Sequence, residues 1–585
     1  MNFLKKHLVG TIITGLLIIM FALMFFSVKG DSPIVDEIAH IPAGFSYITT
    51  GDYRLNPEHP PLIKDLAAVP LVIWGAKFPY AFWRADNPVV NNQWEAGWNF
   101  IYRSGNNPDT LTLLAKIPVM LLSLLFGYFI FRWARELFGS KAGIFALILY
   151  VFNANVIAHS RFVTTDLGIS LALFLSMYCL YLFIKKPTFR RLFLAGLAFG
   201  LTLITKFSAA ILGPTYVIVF IMLLIRRGKK EERSFFAKIQ DIRLTKRFYS
   251  GFLSFVLIGV IGIIAMWIFY IPHTINMPAQ VQKDLIEESL PGEKGYIMTM
   301  KNTLKSMSGN VLTKPLAQWF LGFTMVTGHV EGGHDAFLLG KVSNQGWWYY
   351  YPVTLAIKTA IPIFIFFLLV IIFWKKLEHK DWFMEAYLWV IPVVLMTMGM
   401  QGKINLGVRY MLPLYAFVFL FLARLASLVN IRALLKRKFT VVPVIVVVLT
   451  VWYVAEAIMI YPYYLAYYNE FVGGYKNGYK YLTDSNTDWG QDIKRLNKWT
   501  EKNNINKIYV DVFPSAFEVK YYLGDKMTEW HVQNGRPQGY FAVSATFYQN
   551  SRLKKEKNGG IDYSWLDKIQ PIKNIGGSIL VYKLD

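Results

Sequence analysis

Eleven apolar runs, at 8–28, 111–131, 142–157, 165–184, 192–205, 209–225, 252–271, 352–374, 384–400, 410–428 and 441–461, constrain this chain more than any other feature. Most approach the ~20 residues that an α-helix needs to cross a bilayer. Hydrophobic all round, such helices are stable only inside lipid or a large core. A content of 55% hydrophobic and 16% aromatic residues, with mean hydropathy +0.37, excludes an ordinary soluble domain. The predicted fold class is therefore an α-helical polytopic membrane protein of about 11 transmembrane helices. The opening segment carries Lys5 and Lys6 ahead of its apolar stretch. It lacks a small-x-small cleavage site, so it reads as a retained helix.

A formal net charge of +24 would suit a nucleic-acid binder, but the positions of the charges argue otherwise. Basic residues gather in alternate loops: Lys5 and Lys6; Arg132, Arg135 and Lys141; Lys185, Lys186, Arg190 and Arg191; the 226–247 segment; Lys375, Lys376 and Lys380; Arg432, Lys436, Arg437 and Lys438. The positive-inside rule puts these loops, and the N-terminus, in the cytoplasm. With an odd number of spans the C-terminus lies outside. The expectation is a multi-pass cell-membrane protein with no nucleic-acid partner. Cys179, the single cysteine, falls in an apolar run, so there is no disulfide framework.

The outer segments then become 29–110, 158–164, 206–208, 273–351, 401–409 and 462–585. Nearly every polar cluster lies in them, which predicts an active site on that face. Residues 61–75 look amphipathic and suit the membrane interface. The last stretch is more soluble: 488–504 reads as a capped helix, and 507–513, 540–547 and 578–584 as strands. Two domains are expected, a membrane domain at 1–461 and an extracytoplasmic α/β domain at 462–585.

Candidate chemistry begins with Asp36 and Glu37, just past the first span. A carboxylate there can take a proton from a hydroxyl or hold a divalent ion, or the pair can simply cap the next helix. Glu58 and His59 follow, stiffened by Pro57, Pro60 and Pro61. Arg161 can grip a phosphate in bidentate fashion, while Asp166 can act as a ligand or only meet a helix dipole. Lys206, Lys403 and Arg409 each read as a snorkelling residue or a phosphate partner. Four basic residues at outer turns run against the positive-inside rule, which favours the second reading. The segment around His334 is rich in His, acids and glycine, but matches no standard zinc spacing. Trp347, Trp348 and Tyr350 suit either an interfacial belt or a platform for a sugar or isoprenoid. The run Asp484-Ser485-Asn486-Thr487-Asp488-Trp489-Gly490-Gln491-Asp492 reads as helix capping, with calcium binding the weaker alternative. There is no phosphate-binding loop for ATP-driven pumping.

Taken in order, Asp36-Glu37, Asn56-Pro57-Glu58-His59-Pro60-Pro61-Leu62, the turn 161–166, Leu203–Ser208, the aromatic run 346–351 and 403–412 resemble the GT-C glycosyltransferases. More narrowly they resemble the carrier-dependent enzymes akin to dolichyl-phosphate-mannose–protein mannosyltransferases and the aminoarabinose transferase of lipid A (family 39-like). The resemblance implies a GT-C fold and a glycosyltransferase using a polyprenyl-phosphate-linked sugar donor on the non-cytoplasmic face. The acceptor would be lipid, glycan or protein. It implies Asp36 as base with Glu37 beside it, and Arg161, Lys206, Lys403 and Arg409 at the donor phosphate. Some relatives bind a divalent metal (Mg, Mn or Zn) and others do without; the ligands here would be Glu58, His59 and Asp166. His334, Trp347, Trp348 and Tyr350 would contact substrate. Direct displacement with inversion is the simpler expected course. The competing expectation is a transporter or envelope assembly protein without catalysis. The sequence shows no clear internal repeat, as a transporter would.

Overall fold

The structure is a computed structural model that describes residues 2–83, 90–226, 244–290, 292, 295–429, 441–553, 555–556 and 558–585. The basic segments 227–243 and 430–440, and the side chains of Lys5 and Lys6, lie outside the described residues, so part of the charge pattern used for orientation is not described.

All eleven apolar runs are largely helical. Among the described residues eight helices are long and apolar enough to cross a membrane, or nine if one bent pair is a single span. The difference from eleven has local causes. The second and third runs fall on one helix, Pro108–Val151, broken at Gly139 (φ 86°, ψ 176°), a backbone conformation that glycine adopts without strain. The fifth run forms a helix of only 15 residues, Phe189–Leu203. The eighth bends by 100° between Tyr350–Lys358 and Ile361–Ile372, where Pro362 cannot continue the preceding hydrogen-bond ladder.

For the site, five helices matter: α1 (Asn2–Val28), α2 (Val35–Thr50), α3 (Leu62–Trp74), α4 (Pro108–Val151) and α5 (Thr165–Lys185). α2 starts because Glu37 reaches back to accept the Ile34 amide at 3.0 Å, filling one of the orphan donors of the first turn. It stops at Gly51, which takes the left-handed conformation (φ 68°) and donates to the Tyr47 carbonyl. α3 is the amphipathic helix expected at 61–75, with Ile73 81% exposed and Ala67, Ala68 and Leu71 buried. α5 is buried along most of its length.

The segments expected on the outer face come together at one end of the bundle. Leu62 donates to the Ile204 carbonyl, His40 Nδ1 lies 2.8 Å from the Val163 carbonyl, and Val408 donates to Asn486. Over this end runs an irregular strap, 462–492, built of short turns. Beyond it sits the α/β unit. Its strands are β1 (Ile508–Asp511), β2 (Met527–Glu529), β3 (Gly539–Ser544), β4 (Lys573–Ile575) and β5 (Ile579–Leu584), in the order β2-β1-β3-β5-β4. β2, β1 and β3 run parallel; β5 is antiparallel to β3 and β4. The three expected strands correspond to β1, β3 and β5. The helix expected at 488–504 begins only at Ile493, because Gly490 (φ 93°) turns the chain first. A further antiparallel pair, Ala336–Leu338 with Lys341–Ser343, occupies the glycine-rich segment near His334.

Candidate functional site

Four residues from four separate segments join in one chain of charges. Asp36 is the second residue of α2; Asp166 lies in the first turn of α5; Lys206 follows the helix Phe189–Leu203; Arg409 sits in the turn Val408–Met411. Asp36 Oδ2 is 2.9 Å from Arg409 Nη1, which lies 3.7 Å from Asp166 Oδ2. Lys206 Nζ donates to Asp166 Oδ1 at 2.5 Å. The Tyr410 ring lies 4.5 Å from Lys206 Nζ, and the Trp489 ring 4.3 Å from the Arg409 guanidinium carbon. Burial is uneven. The Asp166 side chain is 2% exposed, whereas Asp36 keeps 23%, enough to meet a ligand. Arg409 Nε and Asp166 Oδ2 are buried without a hydrogen-bond partner. An unpaired buried donor is costly, so Arg409 retains capacity for an anion.

The stiff loop 56–59 forms the next layer. Lys64 is fully buried and donates to the Asn56 carbonyl (2.9 Å), the His59 carbonyl (2.6 Å) and the Tyr47 hydroxyl (2.8 Å). Burial pulls its ammonium down to about 7. Glu58 Oε1 accepts from Asn56 and from Gln93, while Oε2 is buried without a hydrogen-bond partner. The His59 ring meets His40 edge-on at 5.0 Å. Burial, then the neighbouring His40, Lys206, Lys64 and Arg409, hold His59 well below its ordinary range, so it stays neutral.

Other expected site residues are placed elsewhere. Glu37 does not share the Asp36 pocket: it is wholly buried, accepts the Ile34 and Val163 amides, and pairs with Lys116 at 3.2 Å. Burial raises its carboxyl, opposed by Lys116 and the two amides. Adjacent helix residues point about 100° apart, so one of the pair turns to the pocket and the other to the core. Arg161 is equally committed. It is 1% exposed and pairs with Asp31 at 2.8 Å, and Arg495 closes on the same carboxylate at 2.5 Å. Lys403 is exposed, and its Nζ donates to the Glu331 carbonyl at 3.3 Å. His334 stacks on His329 at 5.7 Å; Trp348 is 65% exposed; the Trp347 amide donates to Asn405; the buried Tyr350 hydroxyl accepts from Asn486.

Among the described residues no three His, Cys, Asp or Glu side chains come together to hold a metal. Glu58 Oε1 accepts from two amides and Asp166 Oδ1 from Lys206, while Glu58 Oε2 and Asp166 Oδ2 have no hydrogen-bond partner. The Glu58, His59 and Asp166 side chains expected for Mg, Mn or Zn do not form one three-ligand group among the described residues. Two contributors escaped sequence reading. Trp489 and Asn486 lie in the 484–492 run, whose acids and amides look like helix caps. The signal available there was Trp489 itself, a large apolar side chain amid polar ones.

Residues 112–239 match the family described as dolichyl-phosphate-mannose-protein mannosyltransferase. No curated protein sequence matches the chain. Among solved structures, ArnT from Cupriavidus metallidurans bound to undecaprenyl phosphate aligns over 97% of both chains, at 11% identity and TM-score 0.46. The apo oligosaccharyltransferase of Archaeoglobus fulgidus aligns over 94% of this chain and 72% of its own, at 12% identity and TM-score 0.44. The S. cerevisiae Pmt1–Pmt2 protein O-mannosyltransferase complex bound to the sugar donor aligns at 15% identity and TM-score 0.34, over 46% of this chain and 34% of its own, about a third of that relative's length. In the stretch that carries Asp166 and Lys206 the chain is similar to the dolichyl-phosphate-mannose-protein mannosyltransferases.

Proposed function

We propose that this chain transfers a sugar from a polyprenyl-phosphate carrier to an acceptor hydroxyl at the non-cytoplasmic membrane face. The observation that carries the reading is the Asp36–Arg409–Asp166–Lys206 chain, drawn from four segments far apart in sequence. A transporter or assembly scaffold needs no such convergence. Burying two cations and two carboxylates together is costly to desolvate, and the orphaned Arg409 Nε leaves room for a further anion. The matched family is named for a polyprenyl-phosphate sugar donor.

In this reading the isoprenoid lies between helices and its phosphate meets Arg409 Nε and Lys206. The acceptor oxygen gives its proton to Asp36 and attacks the anomeric carbon. The bond from that carbon to the phosphate oxygen breaks, and the electron pair leaves with the lipid phosphate. Arg409 and Lys206 balance the charge that develops there, from side chains largely buried and already oriented. With Asp36 as the base of a direct displacement, the product is inverted. Neutral His59 adds no further cation beside the phosphate. Lipid, glycan and protein hydroxyls all satisfy this chemistry as acceptors.

The test incubates the full chain in lipid nanodiscs with a panel of polyprenyl-phosphate sugars and follows release of free lipid phosphate. One donor should turn over, and Asp36→Asn should lower the turnover of the folded protein by about 10²-fold or more, well beyond any loss of folded fraction. Near-normal turnover by Asp36→Asn, or no turnover of any donor, overturns the proposal.

A further inference from the structure

The strap that opens the C-terminal region grips both partners of the Asp36–Arg409 pair. On the Arg409 side, Asn486 Oδ1 accepts the Val408 amide at 2.9 Å, and Ser485 Oγ donates to the Leu406 carbonyl. The approach is close: a Cβ on Gly407 (φ 103°) would lie 2.8 Å from the Asn486 carboxamide. Trp489, 1% exposed, then lays its ring against the Arg409 guanidinium. On the Asp36 side, the Trp489 carbonyl accepts the Val35 amide at 3.1 Å and the Gln491 carbonyl accepts the Ser32 amide at 2.9 Å. Ser32 Oγ donates to the Gly490 carbonyl at 2.6 Å and accepts the Ile493 amide at 3.2 Å.

The strap is itself pinned from both domains. Lys358 Nζ donates to the Asn486 carbonyl at 2.7 Å, from the bend between two membrane helices. Thr546, just past β3, donates its amide to Asp488 at 3.0 Å. Five residues of the seven in 485–491 therefore hold the backbone immediately before Asp36, the backbone before Arg409, and the guanidinium between them.

We propose that residues 485–491 are the positioning element of the site, with Trp489 as its central residue, so that the C-terminal region sets the geometry of the acid–guanidinium pair. The proposal rests on the glycosyltransferase reading above. Trp489 touches Arg409 rather than substrate and acts through it. A strap that only closed the end of the bundle would need no aromatic face on the one guanidinium paired with Asp36. A ring in that place fixes the plane of the guanidinium fork, and bidentate anion contacts depend on that plane.

The experiment compares Trp489→Leu, Trp489→Phe and Ser32→Ala in the full chain in nanodiscs. Turnover, donor KM, melting temperature and hydrogen exchange over residues 32–40 are measured for each. Trp489→Leu should lower kcat by about 10- to 30-fold, and Trp489→Phe should recover most of that loss. Exchange at 32–40 should speed up in Trp489→Leu and Ser32→Ala. In an Arg409→Lys background, Trp489→Leu should cost less than about 2-fold of the residual turnover, because the pair acts as a unit. Additive losses overturn the proposal. So does a kcat loss that Phe does not repair, or one that tracks the melting temperature. Should Trp489→Leu fail to fold, Ser32→Ala decides: faster exchange with lowered kcat supports positioning, and faster exchange with unchanged kcat refutes it. A wild type that turns over no donor defeats the transferase reading. The exchange data still report whether the strap holds residues 32–40, so the two failures are told apart.

Discussion

Replacing Asp166 with asparagine isolates the electrostatic argument. Asp166 is the shared counter-charge of two buried cations, at 2.5 Å from Lys206 Nζ and 3.7 Å from Arg409 Nη1. At an effective dielectric of about 20 these attractions come to about 7 and about 4–5 kcal/mol. Most of that offsets desolvation, and breaking a buried pair from one side typically costs about 3–5 kcal/mol net. Asp166→Asn keeps shape and a hydrogen-bond acceptor for Lys206 but leaves Lys206 without its carboxylate and Arg409 with Asp36 alone. Its melting temperature should fall several degrees in the absence of ligand. A polyprenyl monophosphate then supplies the missing charge. Because it no longer competes with the carboxylate for Arg409, it should bind the variant at least about tenfold more tightly, or about 1.4 kcal/mol. Thermal melts in nanodiscs with and without undecaprenyl phosphate, plus a direct titration of the lipid, measure both effects. Equal or weaker affinity in the variant, or a melting temperature that the lipid does not restore, would refute the idea that these cations are arranged for a phosphate.

Other outcomes follow from the same geometry. Glu37→Gln should destabilise the chain by about 3 kcal/mol through the uncompensated Lys116, while the folded fraction keeps its specific turnover; a catalytic loss with normal stability would return Glu37 to the active site. Arg161→Met should lower stability by leaving Asp31 with Arg495 alone, yet leave lipid-phosphate affinity within about 2-fold, as read by titration. Burial pushes the Asp488 carboxyl from its ordinary 3.8 up to about 7, so the folded chain holds that proton more tightly than the unfolded one. Its contribution to stability is full below about pH 4 and is lost as pH rises through about 7. The melting temperature of wild type should therefore decline relative to Asp488→Asn between pH 5 and pH 8 (about the span of that titration), and parallel curves would show that Asp488 does not titrate there.

The membrane architecture was legible because it depends on composition averaged over many residues. Every apolar run became helix, and the segments expected on one face do meet at one end of the bundle. What averaging does not carry is the direction of a single side chain. Asp36 and Glu37 are chemically alike and adjacent, and only the rotation of α2 assigns one to the pocket and the other to Lys116. Arg161 and Arg409 both read as phosphate grips at outer turns. They parted because Asp31, an acid four residues before the start of α2, reaches Arg161. Pairings across more than a hundred positions leave no local trace in one sequence.

The strap follows the same logic one level up. Its polar residues resemble helix caps because caps and backbone clamps use the same chemistry: a short side chain that accepts or donates beside a main-chain amide. Asn486 serves the Val408 amide, from a segment 78 positions away, rather than its own helix. Ser32 serves Gly490 across 458 positions. A helix cap stabilises the element it begins, whereas these bonds join elements that share no local sequence. Their joint effect is to fix two loops in register, so their value lies in the distance between Asp36 and Arg409 rather than in helix stability. That makes the C-terminal region part of the machinery of the membrane domain. Its α/β unit is accordingly expected to stabilise the pair even when the acceptor is small and makes no contact with it.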